Sequence, residues 1–247
     1  MKRIIILLII FLMAGTVPVV AQLTAEQVVQ KMEANQVHET SKSTGSMIIT
    51  NQFGTRTKTF TTIAEGEDKM LLEFTNKTEN GQKILRVKDE IYLYYPEEEV
   101  ILRLQGGALK ESIFGSNFSY EDLTGEKGIL SSYSATFSTQ GTVIIDGIAC
   151  YHISLSGKKS VSYPYQEIWV EANRFVLKKA SYYSLTKVKL KELTVLGVTQ
   201  LAGKYIPSHF LMIDVNRKDS KTEFKLENMQ VNVKLPANQF SLERLSF

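Results

Sequence analysis

The chain has 247 residues, with 29 basic and 26 acidic side chains and a formal charge of +3. Lys2 and Arg3 lie at the extreme N-terminus, so the body after residue 21 holds 27 basic and 26 acidic residues and is nearly neutral. No Lys/Arg block or basic stripe with interleaved aromatics occurs, which excludes nucleic acid as a partner. One cysteine, Cys150, excludes an intrachain disulfide and reads as a small buried apolar side chain.

Lys2 and Arg3 precede an uninterrupted apolar run over 4–13, and Val19-Val20-Ala21 places small residues ahead of Gln22. This is the pattern of a secretory signal, residues 1–21, cleaved before Gln22. The apolar run is shorter than the roughly 20 residues a permanent membrane helix needs. No cysteine lies near the cut, so a lipid-modified N-terminus there is excluded. Residues 22–247 are expected to form a single domain.

The body opens with one helix signal: Thr24 as N-cap, Gln27 as its capping-box partner, and Val28, Val29 and Met32 on one apolar stripe. The period then changes to two. Strands are expected at 45–50, 55–64, 69–75, 83–88, 91–95 and 100–104, divided by turn-forming pieces such as Asn80-Gly81. After 105–132 a second series follows at 133–139, 142–145, 149–155, 165–170, 175–183, 187–195, 205–215 and 222–233. Pro207 places the start of its strand at an edge or a bulge. Short sequential strands with brief connections are antiparallel neighbours, and the missing βαβ rhythm excludes Rossmann and TIM arrangements. The chain is therefore mainly β, a curved sheet, barrel or sandwich.

The strand faces are unequal. Met70, Leu72 and Phe74 share one side, as do Tyr151, Ile153 and Leu155, and Leu211 with Ile213 and Val215. Tyr92 and Tyr94 share a face of their strand. In a closed sandwich these faces are simply core. The connection 105–132 breaks the alternation, is rich in glycine, and contains a helix-compatible piece over 108–114. A connection of that length inside a compact domain is unusual and often functional. With the helix at Thr24, it is placed to lie across an apolar face as a removable cover.

That connection contains Phe114-Gly115-Ser116-Asn117-Phe118-Ser119-Tyr120-Glu121-Asp122-Leu123. It resembles the Gly-Ser-Asp-Phe-Ser-Tyr-Glu-Asp segment of LolA-like outer-membrane lipoprotein-sorting proteins, with Asn117 where an acidic residue is usual. Ile91-Tyr92-Leu93-Tyr94-Tyr95-Pro96 followed by 100–104, and the terminal Leu235-Pro236-Ala237-Asn238-Gln239-Phe240-Ser241-Leu242, extend the likeness over most of the body. The resemblance implies a strongly curved antiparallel sheet, an incomplete β-barrel with a few helices covering its concave face. It also implies a periplasmic carrier of the acyl chains of a lipoprotein or lipid, sorting them toward the outer membrane. Its partners would be those acyl chains and envelope membrane proteins for loading and unloading. The alternative on the same fold is an RseB-type lipid-sensing regulatory module.

On this reading Met70, Leu72, Phe74, Tyr92, Tyr94, Phe114, Phe118, Tyr120, Tyr151, Ile153 and Leu211 are the candidate lipid-binding residues, and Asp122 a loop latch. Asp122 and Glu121 are expected to accept backbone N–H bonds or pair with a base such as Arg103. Adjacent in an extended segment, they point apart and make a poor acid–base pair. His38, His152 and His209 lack zinc-site spacing, and no nucleophile elbow, P-loop or dinucleotide fingerprint occurs. No cofactor, metal or catalytic residue is expected.

Overall fold

The computed structural model describes residues 22–124, 128–158 and 161–246; the expected signal segment lies outside them. After helix α1 (Ala25–Gln36), six strands follow: β1 (Thr40–Asn51), β2 (Gly54–Glu65), β3 (Lys69–Phe74), β4 (Lys83–Val87), β5 (Glu90–Tyr95) and β6 (Val100–Leu104). Two 3-10 turns, Gly106–Lys110 and Ile113–Gly115, and two short helices, α2 (Tyr120–Thr124) and α3 (Ile129–Ser132), fill the connection. The second series comprises β7 (Tyr133–Ile145), β8 (Ile148–Gly157), β9 (Tyr165–Glu171), β10 (Leu177–Tyr183), β11 (Lys189–Leu201), β12 (Lys204–Asp214) and β13 (Lys221–Val231), and α4 (Leu242–Leu245) ends the chain.

All thirteen strands form one antiparallel sheet, in the order β6-β5-β4-β3-β2-β1-β13-β12-β11-β10-β9-β8-β7. Each series is a meander, and the first and last strands join them through pairs such as Met47 with Phe224 and Ile49 with Thr222. Laid flat, thirteen strands at about 4.8 Å spacing would extend roughly 60 Å. Leu72 and Phe74 of β3 nonetheless share one apolar core with Ile153 and Leu155 of β8, so the sheet curls around its contents. Among the described residues it does not close, since β6 and β7 remain unpaired edges.

This topology dictates the cover. The chain leaves the sheet at one edge strand and re-enters at the other, so the β6–β7 connection must cross from rim to rim. The expected pieces 133–139 and 142–145 prove to be one strand, β7, with an irregularity in its pairing between Phe137 and Thr142. Pro207 sits in β12 beyond the β13 ladder, which pairs only His209–Ile213, so its missing N–H breaks no bond there.

At the centre of the sheet Gly45 faces Phe60 across β1 and β2. A Cβ on Gly45 would lie 2.5 Å from the Phe60 ring and 2.4 Å from the Lys225 carbonyl. Its absence lets Phe60 lie over β1 and stack on Phe224 at 4.8 Å.

Candidate functional site: the covered concave face

The cross-strand register defines the concave face. From β5 inward, Leu93 opposes Ile84 and Ile84 opposes Leu72. From β13 outward, Thr222 opposes Met212, Met212 opposes Leu193, Leu193 opposes Ala180, Ala180 opposes Ile168 and Ile168 opposes Ile153. These side chains belong to one buried cluster, apart from Thr222, which is buried as a polar member of the same row.

Helix α1 covers the β7–β12 part. Thr24 and Gln27 form the expected capping box, with Thr24 N–H donating to Gln27 Oε1 at 2.9 Å and Gln27 N–H to Thr24 Oγ1 at 3.2 Å. Ala25, Val28, Val29 and Met32 are buried. At the far end Asn35 Nδ2 donates to the carbonyls of Arg174 and Phe175, at 2.7 and 2.9 Å. The Glu33 carboxylate accepts from Ile129 N–H, and burial raises its pKa, a shift that the Ile129 bond partly opposes.

The segment 106–124 covers the rest. Phe114 meets Phe74 edge-on at 4.9 Å, with Lys58 Nζ 5.5 Å from its ring. Its backbone is left-handed, φ 50° and ψ 32°, a strained setting for an aromatic residue. Phe118 packs 5.8 Å from Phe224, and Tyr120 is buried; burial first, then Tyr95, raises its phenol pKa.

Asn117, 2 % exposed, is ringed by polar partners. Its N–H donates to Thr222 Oγ1 at 2.9 Å, and its Oδ1 accepts from Ser220 Oγ at 3.0 Å and Thr222 Oγ1 at 2.9 Å. Asp122 accepts from Ser119 N–H at 2.8 Å, from Tyr163 Oη at 3.0 Å and from Lys191 Nζ at 2.6 Å. Ser119 Oγ in turn accepts from Asp122 N–H at 3.2 Å, making Ser119-x-x-Asp122 a reciprocal cap at the start of α2. Arg217 reaches in from the β12–β13 turn and donates to the Ser116 carbonyl at 3.0 Å.

Leu72, Phe74, Ile153, Phe118 and Tyr120 are buried in this cluster, with Met70, Tyr151 and Phe114 packed against it. Three expected residues lie elsewhere. Tyr92 and Tyr94 occupy the outer face, because β5 pairs through Leu93 on the inside; they join Leu71 and Leu85 in a second cluster capped by Phe240 and Leu245. Leu211 is also outside, opposite Glu223, and Met212 takes the inner position. The basic partner of Asp122 is Lys191, while Arg103 pairs with Glu90 at 2.6 Å. Tyr92/Tyr94 and Leu211 sit in runs that are apolar on both parities, Ile91-Tyr92-Leu93-Tyr94 and Phe210-Leu211-Met212-Ile213, where alternation gives no orientation and only register does. Asn117, Lys191 and Tyr163 carry no such pattern; Ser119-x-x-Asp122 was the one readable signal in the latch.

Between the cover and the β3–β5 end, the space bounded by Phe74, Ile84, Leu93, Tyr95, Phe114 and Tyr120 is about 10 Å³, no more than one water's worth. A larger cavity of about 590 Å³ lies among Glu39, Glu65, Lys69 and residues 232–241, away from this face and with mainly polar walls.

A family model described as "Uncharacterized protein" matches residues 66–246. The chain belongs to that family. Among solved structures it is similar to a DUF1329 family protein from Desulfovibrio piger, at 23 % identity and a TM-score of 0.82 over 90 % of this chain and 97 % of that one. It is also similar to a structure described as an outer membrane lipoprotein-sorting protein domain from Vibrio parahaemolyticus, at 19 % identity and a TM-score of 0.82 over 90 % and 98 %. A LolA superfamily protein from Nitrosomonas europaea matches at 18 % identity and a TM-score of 0.75 over 90 % and 99 %. Searched against curated proteins, the sequence finds no match. The fold is LolA-like: an open, curved antiparallel sheet with few helices.

Proposed function

We propose that this protein is an exported, periplasmic carrier that shelters the acyl chains of a lipoprotein or lipid between the concave face and the 106–124 cover, for sorting toward the outer membrane. The observation that carries this reading is the continuous apolar face under a cover tied down by one discrete polar cluster around Asn117 and Asp122. With about 10 Å³ free between the cover and the β3–β5 end, loading there requires the cover to lift. As Phe114, Phe118 and Tyr120 withdraw, methylene groups take their place. Burial at about 0.8 kcal/mol per methylene gives a long acyl chain on the order of 10 kcal/mol gross, enough to offset a polar latch of a few kcal/mol and the ordering of the chain. No covalent step is involved. Loading and unloading then depend on envelope membrane proteins that bias the cover open, because so much buried apolar surface dissociates slowly unaided.

The test is equilibrium binding of a fluorescent fatty acyl probe to residues 22–247, together with native mass spectrometry of protein isolated from its host envelope. Probe binding with displacement by unlabelled lipid is expected. Protein that binds no probe and carries no lipid would sink the reading.

A further inference from the structure

At one end of the strands, three successive hairpins project side by side: β1–β2, β12–β13 and β10–β11. In strand order their tips are two strands apart, about 10 Å from one to the next, so they form a row about 20 Å long. Each tip holds an apolar side chain out into solvent: Phe53, 89 % exposed, on the first, Val215 on the second, and Leu185, 74 % exposed, with Val188 on the third. The turns are hydrogen-bonded. Phe53 N–H donates to Asn51 Oδ1 at 2.9 Å, Asn216 N–H to Asp214 Oδ1 at 2.9 Å, and Val188 N–H to Ser184 Oγ at 3.1 Å. The apolar tips are therefore presented by ordered turns.

The same tips are basic. Arg56, Lys187, Lys189, Arg217, Lys218 and Lys221 stand against two acids, Asp214 and Asp219. Two of these charges are paired locally, Arg217 with Asp214 at 3.4 Å and Lys189 with Glu192 at 3.1 Å, while the body of the chain as a whole is nearly neutral. The basic character is local to these three tips: the β5–β6 turn at the same end of the strands carries Glu97, Glu98 and Glu99, and at the opposite end turns 66–68 and 88–89 carry Glu67, Asp68 and Asp89 beside Lys88. Apolar tips among lysines and arginines fit a surface that offers negative headgroups above hydrocarbon, because the tips enter the interface while the cations stay with the headgroups.

We infer that this hairpin edge is a docking surface for an anionic lipid bilayer, with Phe53, Leu185 and Val188 inserting and Lys187, Lys218 and Lys221 meeting headgroup phosphates. The inference goes beyond the carrier reading, since it says where the molecule meets lipid whether or not it holds an acyl chain. It also brings the cover to the membrane: Arg217, on the middle hairpin, is the residue that donates to the Ser116 carbonyl.

The experiment is co-sedimentation of residues 22–247 with phosphatidylcholine vesicles, with and without phosphatidylglycerol, at low and high salt. Binding is expected only with phosphatidylglycerol and should weaken at high salt. Phe53→Ser combined with Leu185→Ser should cost about tenfold or more in affinity, and Lys187→Ala and Lys218→Ala about fivefold each. All four positions lie on exposed turns, so folding, checked by thermal melts, should be unchanged. Equal binding to both vesicle types, no binding, or variants that bind like the parent would overturn the inference. So would polyglutamate binding as tightly as the vesicles and independently of Phe53 and Leu185, which would point to an acidic protein partner. Failure here with acyl-probe uptake intact rejects the docking edge alone, whereas vesicle binding by protein that takes up no probe supports the edge and rejects the carrier reading.

Discussion

Helix α1 and the segment 106–124 cover two parts of one apolar face, and different forces hold them. Val28, Val29 and Met32 seat the body of α1 by apolar contact, a non-directional attraction that weakens gradually as contact is lost, with the hydrogen bonds of Glu33 and Asn35 confined to its C-terminal turn. The second cover also has its aromatic anchors, but its position is set by Asn117 on Thr222 and Ser220, and by Asp122 on Lys191 and Tyr163. Such a cluster is directional, and losing one partner leaves the others buried and unsatisfied, so it tends to release as a unit. Strain at Phe114 adds to the bias toward release. On the proposed carrier reading, the comparison predicts that α1 stays as a fixed plug and that 106–124 is the gate.

The sharpest test sets one anchor against the other. Phe118→Ala should cost about 3–5 kcal/mol and Met32→Ala about 2–5 kcal/mol in unfolding free energy, because both side chains are almost wholly buried. Only Phe118→Ala should also speed release of a bound acyl probe; equal off-rates for the two would dissolve the distinction. A smaller effect is expected for Asp122→Asn, about 1–3 kcal/mol by chemical denaturation, since the shape survives while Lys191 loses its charged acceptor. Its off-rate should rise well above that of a Met32 variant of matched stability.

Acid should separate the covers with the smallest energies of all. Near Phe114, burial pushes the Glu79 carboxyl up, but hydrogen bonds from Lys58, Thr78 and Asn76 prevail and hold it below its ordinary value of 4.5. A carboxyl depressed in the folded state contributes stability that is present above 4.5 and lost as pH falls through the lower folded value. Glu33 on α1 has the opposite sign: its pKa is raised, so its ionised form carries a penalty that disappears as pH falls through the raised value toward 4.5. Amide exchange protection, corrected for intrinsic rates, should therefore fall around the Glu79 turn and Phe114, which Lys58 joins, and hold or rise in 22–37 as pH drops from about 7 to about 3. Glu79→Gln should flatten the first trend, and parallel loss in both segments would refute the asymmetry.

Much of this was legible in the residues alone. Period-two alternation marked the strands, Thr24 and Gln27 the helix α1, and the long irregular connection the cover, because each is a local pattern that local physics enforces. Fourteen expected strand pieces without crossover helices pointed to antiparallel neighbours in a curved sheet, barrel or sandwich, and the structure merges two of the pieces into β7. Tertiary structure decided the rest. Whether Leu93 or its flanking tyrosines face inward, and whether Met212 or Leu211 does, depends on pairing with Ile84 and Leu193, since a run apolar on both parities has no preferred side of its own. Lys191 and Tyr163 became partners of Asp122 only when the sheet curled, bringing together residues 41 and 69 positions apart in sequence. Curvature is a property of all thirteen twisted strands together, so no stretch of sequence encodes it, and the gate, which exists only where the curled sheet brings its rims within reach of one connection, is written in no single segment.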